Sequence, residues 1–309
     1  MARAGIAITG ATATGKTALA IDVAHALGGE VISMDSRQVY RGMDIGTAKP
    51  TLEERRGIPH HGFDLVDPHE RYSAGRFARD ARAWIAAIRQ RGGIPILAGG
   101  TGFFLRALTE PLFDEPTMPA ARRAKLAHWL ERQSLDTLQR MARTLDPHGA
   151  VAREPANRQR LTRSIEVPLL TGRSLPEWHA AGGEEPGVDL LVFVLEAPRE
   201  DLTVRIHERI DGMAHAGLVE EVRSLLEAGY GPMDPGMSAT GYAELIPHLR
   251  GAVTLEAALE QVRAATRRYA RRQATWFRHQ MPADAIRLDA TRPTAELTRG
   301  VVEAWQRGA

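Results

Sequence analysis

The chain has 309 residues, of which 43% are hydrophobic, enough for one large core or for a core carrying a smaller insertion. It has no cysteine, which excludes disulfides and thiolate metal sites, leaves oxygen or imidazole as the only metal ligands, and fits a reducing, cytoplasmic setting. Formal net charge is only +2, and no apolar run reaches the length of a membrane span or a secretory leader, so neither a membrane partner nor a leader peptide is expected.

In chain order, a short apolar strand around Ile6-Ala7-Ile8 opens directly into Gly10-Ala11-Thr12-Ala13-Thr14-Gly15-Lys16-Thr17 and then into an apolar helix reaching about Leu27. Strand, glycine-rich turn and helix in this order form the setting of a P-loop. Successive backbone N–H groups wrap a phosphate at a helix N-terminus, Lys16 adds a point charge, and the Thr17 hydroxyl can ligate Mg²⁺. A surface glycine turn is the bland alternative. A second strand is expected over Glu30 to Met34, a helix around Arg76 to Arg91, and a third strand over Ile94 to Ala98. This alternation predicts a parallel α/β sheet whose ligands gather at the carboxyl ends of its strands. Three segments fall at such ends: the P-loop, Asp35-Ser36-Arg37-Gln38, and Gly99-Gly100-Thr101-Gly102.

The pattern breaks at a proline-rich stretch from Pro111 to Pro119, and residues 120–170 read as short amphipathic helices with no strand. A second break spans Ala180 to Gly187. The strand–helix pattern then resumes with a buried strand over Asp189 to Leu195, a long helix from about Glu200 to Ala228, and an arginine-rich helix from about Leu255 to His279. A short strand at Ile286-Arg287-Leu288 and a terminal helix over 294–307 follow. The expected fold is therefore α/β, a P-loop NTPase-like parallel sheet flanked by helices, with residues 1–116 and 184–309 forming the core and 117–183 a helical insertion domain.

Charge is unevenly distributed. Residues 122–173 hold eleven Lys and Arg against five acids, and residues 263–278 hold six Arg and no acid, so two basic islands sit on an acidic body. A polyanion larger than one nucleotide is implied. In the second island Tyr269, Trp276 and Phe277 interleave with the arginines, a composition suited to single-stranded RNA if the aromatics turn inward and the arginines outward. Among single residues, Asp35 ends an apolar strand beside the phosphate site, where a carboxylate can act as a base or hold Mg²⁺ through water; the alternative is an ordinary turn aspartate. Thr101 has a hydroxyl at another strand end, or merely ties its own turn. Arg205 and Arg209 lie one helical turn apart and can present two cations to a phosphate, unless they form a solvated face with Glu208 and Asp211. His60 and His61 are adjacent and point apart in a strand, which argues against a metal pair.

Taken together, these segments resemble the tRNA dimethylallyltransferase (tRNA isopentenyltransferase) family over nearly the whole chain. The resemblance rests on the P-loop and on Asp35-Ser36-Arg37-Gln38-Val39-Tyr40-Arg41-Gly42-Met43-Asp44-Ile45-Gly46-Thr47-Ala48-Lys49-Pro50. It extends to Pro59-His60-His61, Asp67-Pro68, Tyr72-Ser73-Ala74, Gly99-Gly100-Thr101-Gly102 and Gln159-Arg160-Leu161-Thr162-Arg163. Near the end, Gly241-Tyr242 and Arg271-Arg272-Gln273-Ala274-Thr275-Trp276-Phe277-Arg278 also match. It implies transfer of a dimethylallyl group from dimethylallyl diphosphate to the exocyclic amino group of the adenosine 3′ of a tRNA anticodon, by a cytoplasmic monomer.

The resemblance also assigns roles. Gly10 to Thr17 would hold the diphosphate rather than ATP, Lys16 and a Thr17-bound Mg²⁺ would stabilise the leaving diphosphate, and Arg209, with Arg205 in reserve, would add positive charge. Asp35 would accept the proton of the attacking amine, and Thr101 would orient the reacting centre. The target base would be flipped into a channel where Gln38 reads its edge. Contacts to tRNA are expected from Asp35, Ser36, Arg37, Gln38, Thr101, Arg123, Gln159, Arg160, Leu161, Thr162, Arg163, Gly241, Tyr242, Arg272 and Gln273. Three departures from the family pattern stand out: Ala11 in place of Pro, Ala156-Asn157 in place of Asn-Asp, and Phe103-Phe104 in place of an aliphatic residue and Tyr. The competing expectations are a P-loop kinase acting on a small molecule or nucleotide, an RNA-binding module with an inert P-loop, and a related transferase using free AMP.

Overall fold

The computed structural model describes residues 3–110, 119–149, 155–181 and 186–308. The chain begins with strand β1 (Gly5–Gly10), whose apolar run is buried throughout, followed by helix α1 (Lys16–Leu27) and strand β2 (Gly29–Ser33). A long irregular stretch leads to a two-residue strand β3 (His60–His61), then to α2 (Ala74–Gln90), β4 (Ile94–Gly99) and α3 (Gly102–Thr109). Four helices come next, α4 (Ala120–Glu131), α5 (Leu135–Leu145), α6 (Arg158–Thr171) and α7 (Leu175–Ala181). The chain then enters β5 (Leu190–Glu196), α8 (Arg199–His215), α9 (Leu218–Glu227), α10 (Tyr242–Leu249), α11 (Leu255–His279), β6 (Ile286–Asp289) and α12 (Thr294–Gly308).

All six strands pair in parallel in the order β3-β2-β4-β1-β5-β6. The chain leaves β1 toward β2 on one side and later returns to β5 on the other, so β1 is the switch point beside which α/β sheets form their ligand crevice. Side chains alternate across the sheet. Ile6 and Ile8 of β1 join Leu19, Val23 and Val301 on one face, while Ala7 joins Phe77, Ile85 and Phe277 on the other. Both faces are thus buried under helices, the condition an all-parallel sheet requires.

Chain contacts divide the molecule into a core unit, Met1–Thr109 with Val188–Ala309, and a second unit, Glu110–Gly187. Within the core, the Val188 amide donates to the Leu108 carbonyl at 2.9 Å, so the chain leaves and re-enters the core at one place. The second unit is helical in its described residues and has its own small core of Leu130, Leu138, Ala142, Leu161 and Ile165. The boundaries expected at 117 and 183, the proline-rich stretch at 111–118 and residues 182–185 of the second break lie outside the described residues.

One expectation needs correcting. The single helix expected over Glu200 to Ala228 is two, because Gly217 takes a φ of 103°, a conformation that ends α8 and caps α9. His60 and His61, read as pointing apart in a strand, do lie in one, the edge strand β3 beside β2. Two short helices went unread, α3 and α10, the first beginning at Gly102 and the second capped by Gly241.

Candidate active site

The P-loop connects β1 to α1 at the middle of the sheet. Ala13 takes a φ of 64° and Gly15 one of 84°, turning the chain so that α1 begins at Lys16. Among the described residues, no acceptor meets the backbone N–H groups of Ala13, Thr14 or Gly15. Open amides at the positive end of a helix form an anion cradle. The Thr14 hydroxyl donates to the Ala11 carbonyl at 2.8 Å, and Lys16 folds back so that its Nζ donates to the same carbonyl at 2.6 Å. Burial, aided by the charge of Arg209, pushes Lys16 down to about 7, and the nearby carboxylate of Asp35 only partly offsets them. Burial likewise lowers Arg209, with Asp35 again opposing. Two half-buried cations and one carboxylate therefore interact electrostatically at the mouth of the loop.

They line one cavity of 640 Å³, together with Gly15, Thr17, Gln38, Gly99, Gly100, Tyr269 and Gln273. Asp35 follows β2, and its Oδ1 accepts from the Arg37 amide at 2.8 Å. Thr101 follows β4, and its Oγ1 accepts the Ser36 amide at 3.0 Å while its amide donates to the Met34 carbonyl, tying the ends of β2 and β4 together. Tyr269 of α11 forms a wall, its phenol pushed up to about 12 by burial and by the Asp35 charge. Gln273, one turn further along α11, accepts from the Thr12 amide and donates to the Gly100 carbonyl, both at 2.8 Å. The side chain expected to contact RNA is thus a buried strut between the P-loop and the Gly99–Gly100 turn.

The segment from Asp35 to Pro50 turns most of its polar groups inward. Gln38 is buried: its amide nitrogen donates to the carbonyls of Thr47 and Ala48, and its oxygen accepts from Ser33. Both amide hydrogens are donated within the protein, so Gln38, expected to read the base edge, lines the cavity with its amide already paired. The Nζ of Lys49 bonds Asp44, Asp64 and the Tyr40 carbonyl, each at 2.6 Å, with its side chain 3% exposed. The amides of Asp44, Ile45 and Gly46 converge on the carboxylate of Glu221 at 2.8, 2.7 and 3.0 Å. Tyr242, also expected at the RNA, is fully buried and donates its hydroxyl to Glu221 at 2.5 Å. Its ring packs so closely on Gly46 that an added Cβ would lie 2.5 Å from it. Gly241 caps α10, its amide donating to Glu244 at 2.8 Å. Arg37 is tethered to the Pro235 carbonyl at 2.8 Å and to Ser238. Glu221 carries no local signal in the sequence, where it reads as an ordinary acid on an amphipathic helix.

Other charged candidates are similarly engaged. Arg205 does not join Arg209; its Nη2 donates to the Ala290 carbonyl at 3.0 Å, and it does not line the cavity. In the second unit, Arg123 and Arg163 both pair with the buried Glu166, at 2.7 and 3.0 Å, joining α4 to α6. Leu161 is fully buried in that unit's core, whereas Gln159 and Arg160 are exposed and Thr162 is half-buried. In the free protein Arg205, Arg123 and Arg163 thus already have partners within the chain, and Leu161 is buried. In the second basic island, Arg263 pairs with Asp211 and Arg267 with Glu260, while Arg268, Arg271, Arg272 and Arg278 are exposed. His61 bonds Glu30 at 2.7 Å and His60 the Ile58 carbonyl at 2.8 Å.

Among the described residues no group of three or more His, Cys, Asp or Glu could hold a metal. A cation here would rest on the Thr17 hydroxyl, on phosphate oxygens and on water, a hard oxygen set that suits Mg²⁺. No helix among the described residues is long and apolar enough to cross a membrane.

The sequence matches the IPP transferase family over residues 38–280 and the isopentenyl transferase family over residues 5–60. A tRNA dimethylallyltransferase of Thermomicrobium roseum is 45% identical over 289 residues, covering 93% of this chain and 87% of that protein. One from Pelotomaculum thermopropionicum is 43% identical over 274 residues, covering 88% and 87%. Among solved structures, a tRNA delta(2)-isopentenylpyrophosphate transferase from Staphylococcus epidermidis superposes with a TM-score of 0.71 at 36% identity, over 98% of this chain and 99% of that one. A eukaryotic dimethylallyltransferase captured acting on tRNA superposes with a TM-score of 0.80 at 31% identity, over 98% and 77%.

Proposed function

The chain belongs to the IPP transferase family, whose relatives are tRNA dimethylallyltransferases, and on that premise we propose how its cavity performs the transfer. The enzyme moves a dimethylallyl group from dimethylallyl diphosphate to the exocyclic amino group of the adenosine 3′ of a tRNA anticodon and releases diphosphate. It does so as a single chain in the cytoplasm, where its RNA substrate resides.

The observation that carries this reading is the composition of one cavity: open P-loop amides, Lys16 and Arg209 on one side, and the carboxylate of Asp35 within their electrostatic reach. The diphosphate sits in the amide cradle of Gly10 to Thr17. As the allylic C–O bond breaks, negative charge grows on the leaving oxygen, and Lys16 and Arg209 stabilise it there more than in the ground state. Lys16 must release the Ala11 carbonyl to do so, and where it is neutral, at pH above about 7, it must also take up a proton. Mg²⁺ ligated by Thr17, when bound, supplies further neutralisation of the leaving diphosphate.

The adenine amine attacks the allylic carbon, and its proton passes to Asp35 as the C–N bond forms, because the neutral amine is too weak an acid to give it up beforehand and becomes acidic only as positive charge grows on its nitrogen. Thr101, tied to Ser36, fixes the carboxyl-side rim on which the base rests. Alignment of nucleophile and carbon, more than activation, supplies the rate. Burial of the adenine amine in a stacked loop requires that the base be extruded into the cavity. Outside the cavity, the tRNA stem-loop is gripped through its phosphates by exposed cations, with Arg272 and Arg160 as the leading candidates.

The test is incubation of the protein with anticodon stem-loop RNA, labelled dimethylallyl diphosphate and Mg²⁺, with Asp35→Ala and ATP-only controls. Label on the RNA that is lost in Asp35→Ala supports the assignment. Phosphoryl transfer from ATP in place of prenylation would replace it with a kinase.

A further inference from the structure

We propose that Phe103 and Trp276 form a platform at the rim of the cavity on which an unpaired nucleobase of the RNA stacks, next to the adenosine that is modified. This inference rests on the transferase reading above.

Phe103 is 56% exposed, and among the described residues of the core unit no other Phe, Tyr or Trp is more than half exposed. It lies two residues beyond Thr101, on the first turn of α3. Phe104, Leu105, Ala107 and Leu108 of that helix turn into the core and leave the Phe103 ring outside. It is not isolated there. Its ring centroid lies 6.4 Å from that of Trp276, with the planes tilted by 36°. Trp276 is itself held firmly. Its ring meets Phe277 edge-on at 5.2 Å, and it crosses Gly102 so closely that an added Cβ would lie 2.1 Å from the indole. Gly102 is therefore what lets the start of α3 lie against the indole and present Phe103 beside it.

The platform continues a row that starts inside the cavity. Tyr269, a cavity wall, lies under the Arg272 guanidinium at 5.8 Å, and Trp276 follows two turns after Tyr269 on the same face of α11. The arginines at this end of the helix are the ones the protein leaves unneutralised: Arg271, Arg272 and Arg278 are exposed and pair with no acid among the described residues, unlike Arg263 and Arg267. Flat aromatic faces alternating with uncompensated guanidinium groups match a chain of bases and phosphates, since aromatics stack on any base and arginines meet the backbone between them. An apolar peptide would gain nothing from the cations, and a duplex would have no exposed base face to offer.

The experiment pairs protein and RNA changes. Stem-loop RNAs carrying a single abasic residue at each position flanking the target adenosine are compared with the intact RNA for binding and transfer, using wild type, Phe103→Leu and Phe103→Tyr. In wild type one abasic position weakens binding about tenfold, the size of one stacked base. In Phe103→Leu, which keeps the apolar volume but loses the flat face, that penalty falls to about twofold or less, and in Phe103→Tyr it is retained. A merely structural Phe103 would lower affinity for all RNAs alike and leave the abasic penalty unchanged. An equal penalty in wild type and Phe103→Leu at every position, or no penalty at any, overturns the platform. Transfer by wild type to the intact RNA in the same experiment keeps the outcomes apart: transfer without coupling removes the platform alone, and coupling without transfer removes the proposed reaction.

Discussion

Two loops of this protein are built from the same parts and used in opposite ways. The loop after β1 and the segment after β2 each offer a glycine-spaced row of backbone amides and a lysine. Between Gly10 and Thr17 the amides of Ala13, Thr14 and Gly15 meet no acceptor among the described residues, and Ala13 and Gly15 line the cavity. Between Asp44 and Lys49 the amides close on Glu221, and Lys49 is surrounded by Asp44, Asp64 and a carbonyl. A row of N–H groups is thus an anion site only where the protein does not bring its own anion. The filled site holds the long segment after β2 in one conformation, and that rigidity keeps Asp35 in place opposite the open one.

If the open loop binds the leaving group, Lys16→Ala lowers kcat/KM for transfer by about 10³-fold while thermal unfolding stays within about 2 °C of wild type. A comparable loss of stability would mean that Lys16 belongs with the filled site. Glu221→Ala should do the reverse. It strands three amides and a tyrosine hydroxyl and lowers the unfolding free energy by about 3 kcal/mol, measured by denaturant titration. Asp35 stands where the two loops meet, and Asp35→Asn should lower kcat about 10²-fold with little change in KM for either substrate. An equal rise in KM would make it a binding group only.

The smallest effect sharpens the comparison in protons. Lys16 is lowered to about 7 in the free protein, chiefly by burial, and a bound diphosphate must raise it. Below pH 7 the lysine is already charged. As pH rises through 7, binding requires proton uptake, growing from about half a proton at pH 7 toward one at pH 8, and the lysine's contribution to affinity falls. Calorimetric titration of diphosphate in buffers of different ionisation enthalpy, compared with Lys16→Ala, measures it.

Local patterns carried much of this into the sequence. β1, α1, β4, β5 and α11 announce themselves by unbroken apolar runs or helical periodicity, and the P-loop by its flanks. What escaped was what depends on partners far along the chain. Arg205 and Arg209 share a helical face in sequence, yet Arg205 is drawn to the Ala290 carbonyl, 85 residues away. Gln273 and Tyr242 sit in motifs that resemblance ties to RNA, but their hydrogen bonds reach Thr12, Gly100 and Glu221, which no periodicity connects to them. The basic islands overstated free charge, because Glu166, Asp211 and Glu260 lie close by in space and meet part of it.

The hydrogen bond from Val188 to Leu108 brings together the two ends of everything between them. The sheet's wiring closes across that bond, and no strand depends for its neighbour on what is threaded through it. A module joined at one doorway can be lengthened, trimmed or exchanged during evolution without re-threading the catalytic core. Heritable change in the helical unit and in the chemistry can therefore proceed on separate clocks.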